Sequence, residues 1–177
     1  TIRQKPEEQL NSEKKSNVTF MNKVTLVGAG GKMGLRLTHN LRNSDYETSY
    51  LEVSQPGIEK LGKLGIAVQD SMDCAGISDF VILAVPDVAL EKVSSRIIPM
   101  MKTGAVAVTL DPAAALAGKL FFRDDISYFI THPCHPSIFN WEPDEHKMKD
   151  HFGGQLAKQS IVCSLLHGKD EDYAAGE

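Results

Sequence analysis

The stretch VGAGGKMG, residues 27–34, places four glycines within seven positions, directly behind an apolar run and directly ahead of a helical pattern. Removing most side chains from one strand-to-helix turn imposes two constraints: the turn must be tight, and something must come close to the main chain. Residues 24–27 read as a strand, and residues 31–43 as a helix with Met33, Leu37 and Leu41 along one side. The open N-terminus of that helix and the bare amides before it form a seat for a pyrophosphate. Gly28 and Gly30 are expected to make the turn and the close approach, and Gly34 to let the helix lie against its strand. Gly31, Lys32 and Met33 carry the loop into the first helical turn. The spacing is GxGGxMG rather than GxGxxG, so whether Gly30 or Gly31 faces the phosphates stays open.

Apolar runs and helical patterns then alternate. Residues 48–53 form a second strand, and a helix opens at Pro56 with Ile58, Leu61 and Leu64 on one face before Gly65 stops it. A short strand is expected at residues 66–68. SDFVILAVPD, residues 78–87, is a continuous apolar run closed by proline, as in a strand buried on both faces of a parallel sheet. The next helix carries Ala89, Val93 and Ile97 as its core stripe, and residues 105–110 and 126–131 supply two more strands. This order predicts an α/β fold, a Rossmann-type doubly wound parallel sheet over residues 21–137. Residues 1–20 are polar and read as a flexible extension, with Met21 placed like a natural start. Residues 138–177 change composition and read as a linker followed by the helical beginning of a truncated C-terminal domain, the stretch from Gln155 onward looking helical.

The second strand ends in Glu52, at the distance behind the glycine loop where an acid hydrogen-bonds the adenosine ribose of a dinucleotide. A carboxylate there repels a 2′-phosphate, and VSQPG after it brings no arginine or lysine, so NAD is expected rather than NADP. The alternative is a solvated strand end. Val85, Pro86 and Asp87 close the next buried strand on the edge where ligands of open α/β sheets sit, although Pro86 and Asp87 equally suit the start of a helix. ITHPCHPS, residues 130–137, holds His132, Cys134 and His135 between two prolines that restrict the backbone. An imidazole at this strand end can take the proton of an alcohol as hydride leaves its carbon. Histidines bonded to a loop backbone are the plainer reading, and a metal site drawing on Asp144, Glu145 and His146 is a third. Asp111 follows the strand at 105–110 and either faces the same crevice or caps the helix that Pro112 starts.

A formal charge of -4 with lysines scattered among acids gives no basic stripe, which argues against nucleic acid as partner and for a small molecule. No run of apolar residues is long enough for a membrane span. Three widely spaced cysteines without a secretory leader fit reduced thiols and a cytoplasmic setting.

VTLVGAGGKMGLRL, DFVILAVPD and ITHPCHPSIFN together resemble the NAD-binding domain of the β-hydroxyacid dehydrogenase superfamily, which includes 6-phosphogluconate dehydrogenases. HPCHPS and GGQLAKQSIVCSLLHGKDEDYA point within it to the phosphogluconate-dehydrogenase-like group that contains the D-apionate oxidoisomerases. The resemblance implies NAD-dependent oxidation of a hydroxy or sugar acid coupled to isomerisation, with a helical domain that completes the site and forms a homodimer. A histidine followed by proline also resembles prephenate dehydrogenases, where it assists hydride transfer; this makes His132 the first choice for acid/base work, with His135 or Asp111 orienting it. A prephenate-type dehydrogenase and a non-catalytic NAD(H)-sensing module are the other readings.

Overall fold

A computed structural model describes residues 22–134, 142–150, 156 and 160–177. Strands β1 (Lys23–Val27), β2 (Glu47–Leu51), β3 (Phe80–Leu83), β4 (Val106–Thr109), β5 (Ser127–Pro133) and β6 (Ile161–His167) form one sheet in the order β2-β1-β3-β4-β5-β6. The first five run parallel and β6 pairs antiparallel with β5. Helices α1 (Lys32–Leu41), α2 (Gln55–Lys63), α3 (Asp87–Ile97) and α4 (Ala113–Leu116) lie in the crossovers, and α5 (Glu145–Met148) and α6 (Asp170–Gly176) follow β5 and β6.

The continuous apolar strands are explained by cover on both faces. On one face Val24, Phe80, Val106, Val108 and Phe129 make a buried row. Beside it Leu26 and Tyr50 pack with Leu35 and Leu37 of α1 and Leu61 of α2. α6 closes the far end of this face, where the Tyr173 and Phe129 rings meet edge-on with centroids 5.6 Å apart. On the other face Val81, Leu83, Ala105, Ala107 and Tyr128 meet Leu90 and Ile97 of α3 and Ala114 of α4. Residues alternate between the faces with the two-residue period of a strand. Because five strands are parallel, the segments after Val27, Leu51, Leu83, Thr109 and Pro133 all emerge on one edge. Strand order reverses between β1 and β3, which opens the crevice of that edge beside the loop after β1.

Four expectations are corrected. Residues 66–68 form no strand; the Gln69 N–H donates to the Tyr50 carbonyl at 2.8 Å, while Ile66 and Val68 pack on the α2 side of the core as extended chain. The buried stripe of α3 is Leu90, Ser94 and Ile97, with Ala89 and Val93 only partly covered. Ser94 is tolerated inside because its hydroxyl donates to the Glu91 carbonyl at 3.2 Å and accepts from the Phe121 N–H at 3.1 Å. The stretch read as helical from Gln155 contains β6, so the sheet is not wholly parallel and extends past residue 137. Its β-branched start, Ile161 and Val162, favours the strand, and among the described residues of that stretch helix is found at Asp170–Gly176. Among the described residues no helix is long and apolar enough to cross a membrane.

At the opposite edge Asp79 ties the first and third strands together. Its Oδ2 accepts from the Asn22 and Lys23 amides at 3.0 and 2.9 Å, and its Oδ1 from the Lys102 ammonium at 2.6 Å. Burial acts to raise its pKa, yet the Lys102 and backbone hydrogen bonds outweigh that and hold it below the ordinary carboxylate value. A depressed native pKa contributes stability above the unfolded value, about pH 4, and loses it as pH falls toward the native one. Asp79→Ala should therefore lower stability by about 1–3 kcal/mol at neutral pH, or about 3–10 °C in Tm, and by less at pH 3. Thermal unfolding of both proteins at the two pH values checks this.

Candidate active site at the carboxyl edge of the sheet

The glycine loop is packed backbone against backbone. Gly28 has φ +78°, and a Cβ there would sit 2.6 Å from the Ala84 carbonyl oxygen at the end of β3. A Cβ on Gly30 would come within 2.6 Å of the Gly57 carbonyl in α2, and one on Gly34 would strike the Gly28 carbonyl oxygen. Gly31 is less restricted: it caps α1 with φ -70°, and its Cβ would stand 3.2 Å from the Gly28 oxygen. These contacts pin β1, β3, α1 and α2 at one point. The loop amides are also engaged, those of Gly28 and Ala29 to the Leu51 carbonyl at 2.8 and 3.1 Å, and that of Gly31 to Gly28 at 3.0 Å. The Gly30 amide donates to Glu52 Oε2 at 2.9 Å. The amides of Met33 and Gly34 lie in the first turn of α1, beyond the reach of any helical carbonyl, and with the helix dipole they are suited to an anion. Lys32, exposed, and Met33, half-buried, are the first two residues of that helix.

Glu52 is half-buried at the end of β2. Besides Gly30, it accepts from the amides of Val53 at 2.9 Å and Ser54 at 2.8 Å, both on Oε1. Burial favours its neutral form, but the hydrogen bonds from Ser54, Gly30 and Val53 prevail and lower its pKa, so it is a carboxylate at neutral pH. Ser54 caps α2 through its hydroxyl, which accepts from the Gly57 amide at 3.2 Å. Sequence reasoning passed over Gly57. Its signal was a glycine in the first turn of a helix, where alanine is the better helix former unless something must approach closely.

Across the crevice, Val85 is half-buried beside Gly28. Pro86 occupies the N-cap of α3 and Asp87 its first position, both exposed, as their helix-starting reading expects. They stand on the ligand edge at the same time.

Asp111 and His132 come together. The last paired residues of β4 and β5 are Thr109 and Ile130, so Asp111 and His132, each two residues further, project from the same face of adjacent parallel strands. His132 Nδ1 lies 3.4 Å from Asp111 Oδ2, and both side chains are partly exposed toward the edge. Asp111 Oδ1 accepts from the Ala113 amide at 2.7 Å, so one carboxylate both starts α4 and faces the imidazole. A carboxylate at Nδ1 favours the tautomer with Nδ1 protonated and leaves Nε2 as the acceptor. Cys134 is buried, its Sγ donating to the His132 carbonyl at 3.4 Å, which makes it a packing residue here. His135 lies outside the described residues. Of the metal candidates, Asp144 caps α5 by accepting from the His146 and Lys147 amides at 2.9 and 3.1 Å. No group of three potential ligands converges among the described residues.

Comparison with known proteins agrees with this geometry. Residues 23–115 match the NAD binding domain of 6-phosphogluconate dehydrogenase, and residues 140–177 match the phosphogluconate dehydrogenase (decarboxylating) C-terminal family. Two D-apionate oxidoisomerases, from Cupriavidus necator and Rhizobium rhizogenes, are each 46% identical over 156 and 158 residues, covering 88% and 89% of this chain. The chain spans 56% and 58% of their lengths. A solved semialdehyde dehydrogenase NAD-binding protein from Cupriavidus necator, in complex with calcium and NAD, is 46% identical with a TM-score of 0.80, covering 88% of this chain and 56% of that one.

The loop's packing separates its glycines. Gly28→Ala and Gly30→Ala should each destabilise the protein by about 1–3 kcal/mol, since backbone must move to admit the methyl group. Gly31→Ala should change stability by less than about 1 kcal/mol. Chemical unfolding of the three variants is the measurement; equal losses in all three would contradict this packing.

Proposed function

Because the chain belongs to the family of NAD-binding domains of 6-phosphogluconate dehydrogenase, we propose that it is the cofactor-binding part of an NAD-dependent oxidoreductase that oxidises a sugar acid and couples this to isomerisation, as a D-apionate oxidoisomerase does. The observation that carries the reading is the pairing of His132 with Asp111 at 3.4 Å on the edge that also holds the glycine loop. The residues fit the dinucleotide. Side chains are excluded where Gly28, Gly30 and Gly34 meet backbone, and a Cβ at any of them would push the loop away from β3, α2 or its own turn. The first-turn amides of α1 would face the pyrophosphate, Glu52 the adenosine ribose, and Val85, Pro86 and Asp87 would flank the cofactor where it crosses toward β4. Bound NAD would supply the hydride acceptor.

The chain's own chemistry is proton transfer. His132 Nε2 takes the proton of the substrate hydroxyl, and the resulting imidazolium is held by the Asp111 carboxylate at Nδ1. Asp111 is fixed in turn by the Ala113 amide, so the imidazole has a defined orientation without a buried charge. His135 is a second candidate for contact with the substrate. The carboxylate of Glu52 disfavours a 2′-phosphate, which supports NAD over NADP. A cytoplasmic homodimer completes the reading; Cys74, Cys134 and Cys163 are in no disulfide, and Val162 and Leu166 are exposed on the face of β6 turned away from Cys163 and Leu165.

Two outcomes test this. In the full-length polypeptide, His132→Ala should lower kcat for NAD-dependent oxidation of branched aldonates by about 100-fold or more while the Kd for NADH stays unchanged. Asp111→Asn should lower kcat less, with NADH binding again unaffected. Unaltered turnover in His132→Ala removes the imidazole from the mechanism. Separately, direct titration should give tighter binding of NADH than of NADPH; the reverse order would refute the role given to Glu52.

A further inference from the structure

We propose that Glu52 is also the positioning residue of the glycine loop: before any ligand arrives its carboxylate fastens Gly30 to the end of β2. This rests on the reading of the crevice as a dinucleotide site. An ionised carboxylate offers about four acceptor positions. The Val53 and Ser54 amides take Oε1, the Gly30 amide takes Oε2, and the Ser54 hydroxyl adds a further hydrogen bond to the carboxylate. Gly30 itself is wedged against α2 at Gly57, so the loop and the carboxylate meet in a fixed geometry.

The carboxylate is itself held in place by an absence. A Cβ on Gly57 would lie 2.6 Å from Glu52 Cδ and 2.7 Å from its Cγ, so only glycine lets the acid reach across to Gly30. Glu52, Gly57 and Gly30 thus form one stack joining β2, α2 and the phosphate loop. Glutamine is no substitute. Its amide has one oxygen for donors that lie on two sides, so either Gly30 or the Val53–Ser54 pair would confront an N–H group. Replacing the acid to admit a 2′-phosphate would therefore loosen the loop as well, and affinity for both nicotinamide dinucleotides would fall.

Two measurements decide this. In the ligand-free protein, followed by NMR, exchange of the Gly30 amide should quicken about ten-fold or more in Glu52→Gln. In binding, NADH is compared with an NADH analogue lacking both adenosine ribose hydroxyls. Glu52→Gln should weaken the analogue about ten-fold as well, although it offers no hydroxyl for the acid to hold. Gly57→Ala, which keeps the carboxylate but displaces it, should reproduce both effects, and circular dichroism confirms that each variant is folded. Weakening of NADH alone, with Gly30 exchange unchanged, overturns the proposal and leaves the cofactor reading intact. If the wild-type protein binds neither dinucleotide the cofactor reading fails, and the exchange measurement still decides whether the clamp exists.

Discussion

Close approach of main chain to main chain between residues 28 and 34 is the constraint on which the rest of the structure depends. Gly28 against Ala84 sets how near the ends of β1 and β3 come, Gly30 against Gly57 seats α2, and Gly34 against Gly28 brings α1 down on its own loop. Each contact is one that a methyl group would prevent, and each involves a different element. The crevice at the reversal of strand order exists because these elements converge there without side chains to fill it. The amides of Gly28, Ala29, Gly30 and Gly31 are already committed to carbonyls and to Glu52, so the loop is held in shape by the protein before a ligand arrives.

The two halves of the edge work by different means. Around β2, β1 and β3 the available groups are backbone amides, a helix dipole and one acid whose geometry is fixed by hydrogen bonds. At β4 and β5 the groups are side chains, and their pairing follows from strand register rather than from proximity in sequence. Asp111 and His132 meet because parallel neighbours keep the same alternation beyond their last paired residues. A slip of one residue in either strand would turn one of them to the opposite face. The geometry of the dyad is therefore as secure as the buried rows, including Val106, Val108 and Phe129, that fix the register.

Much of this was legible in the chain. The glycine loop, its strand and its helix could be read because composition and periodicity agree on one local structure. Pro86 and Asp87 stand at the start of α3, one of the two readings open for them, and Asp111 reaches the first residue of α4 from before its N-cap, Pro112. What could not be read was anything set by side-chain direction or by distant pairing. Glu52 was recognisable as an acid at a strand end, but its turn back onto Gly30 depends on the space left by Gly57. Ser94 was passed over as a core residue because its two hydrogen bonds come from elsewhere in the fold. The segment IVCSLLH is apolar enough for a helix or a strand, and its edge position beside β5 decided the matter.

The antiparallel strand fixes where the chain re-enters the sheet. Because β6 runs against β5, with Ile161 opposite Pro133, it starts at the edge where β5 ends. The chain therefore leaves the carboxyl edge at Cys134 and returns to it at Ser160, and the two points are tied by the Cys134 amide on the Ser160 carbonyl at 2.9 Å. From this excursion Asp150 approaches Arg36 of α1, where its charge partly offsets the lowering of the guanidinium pKa by burial. Arg36 stands on the first helix and His132 on the fifth strand. A sixth strand parallel to the others would have required its preceding segment to cross to the amino edge. The antiparallel choice instead brings the chain back into the sheet at Ser160, tied to Cys134, two residues past His132.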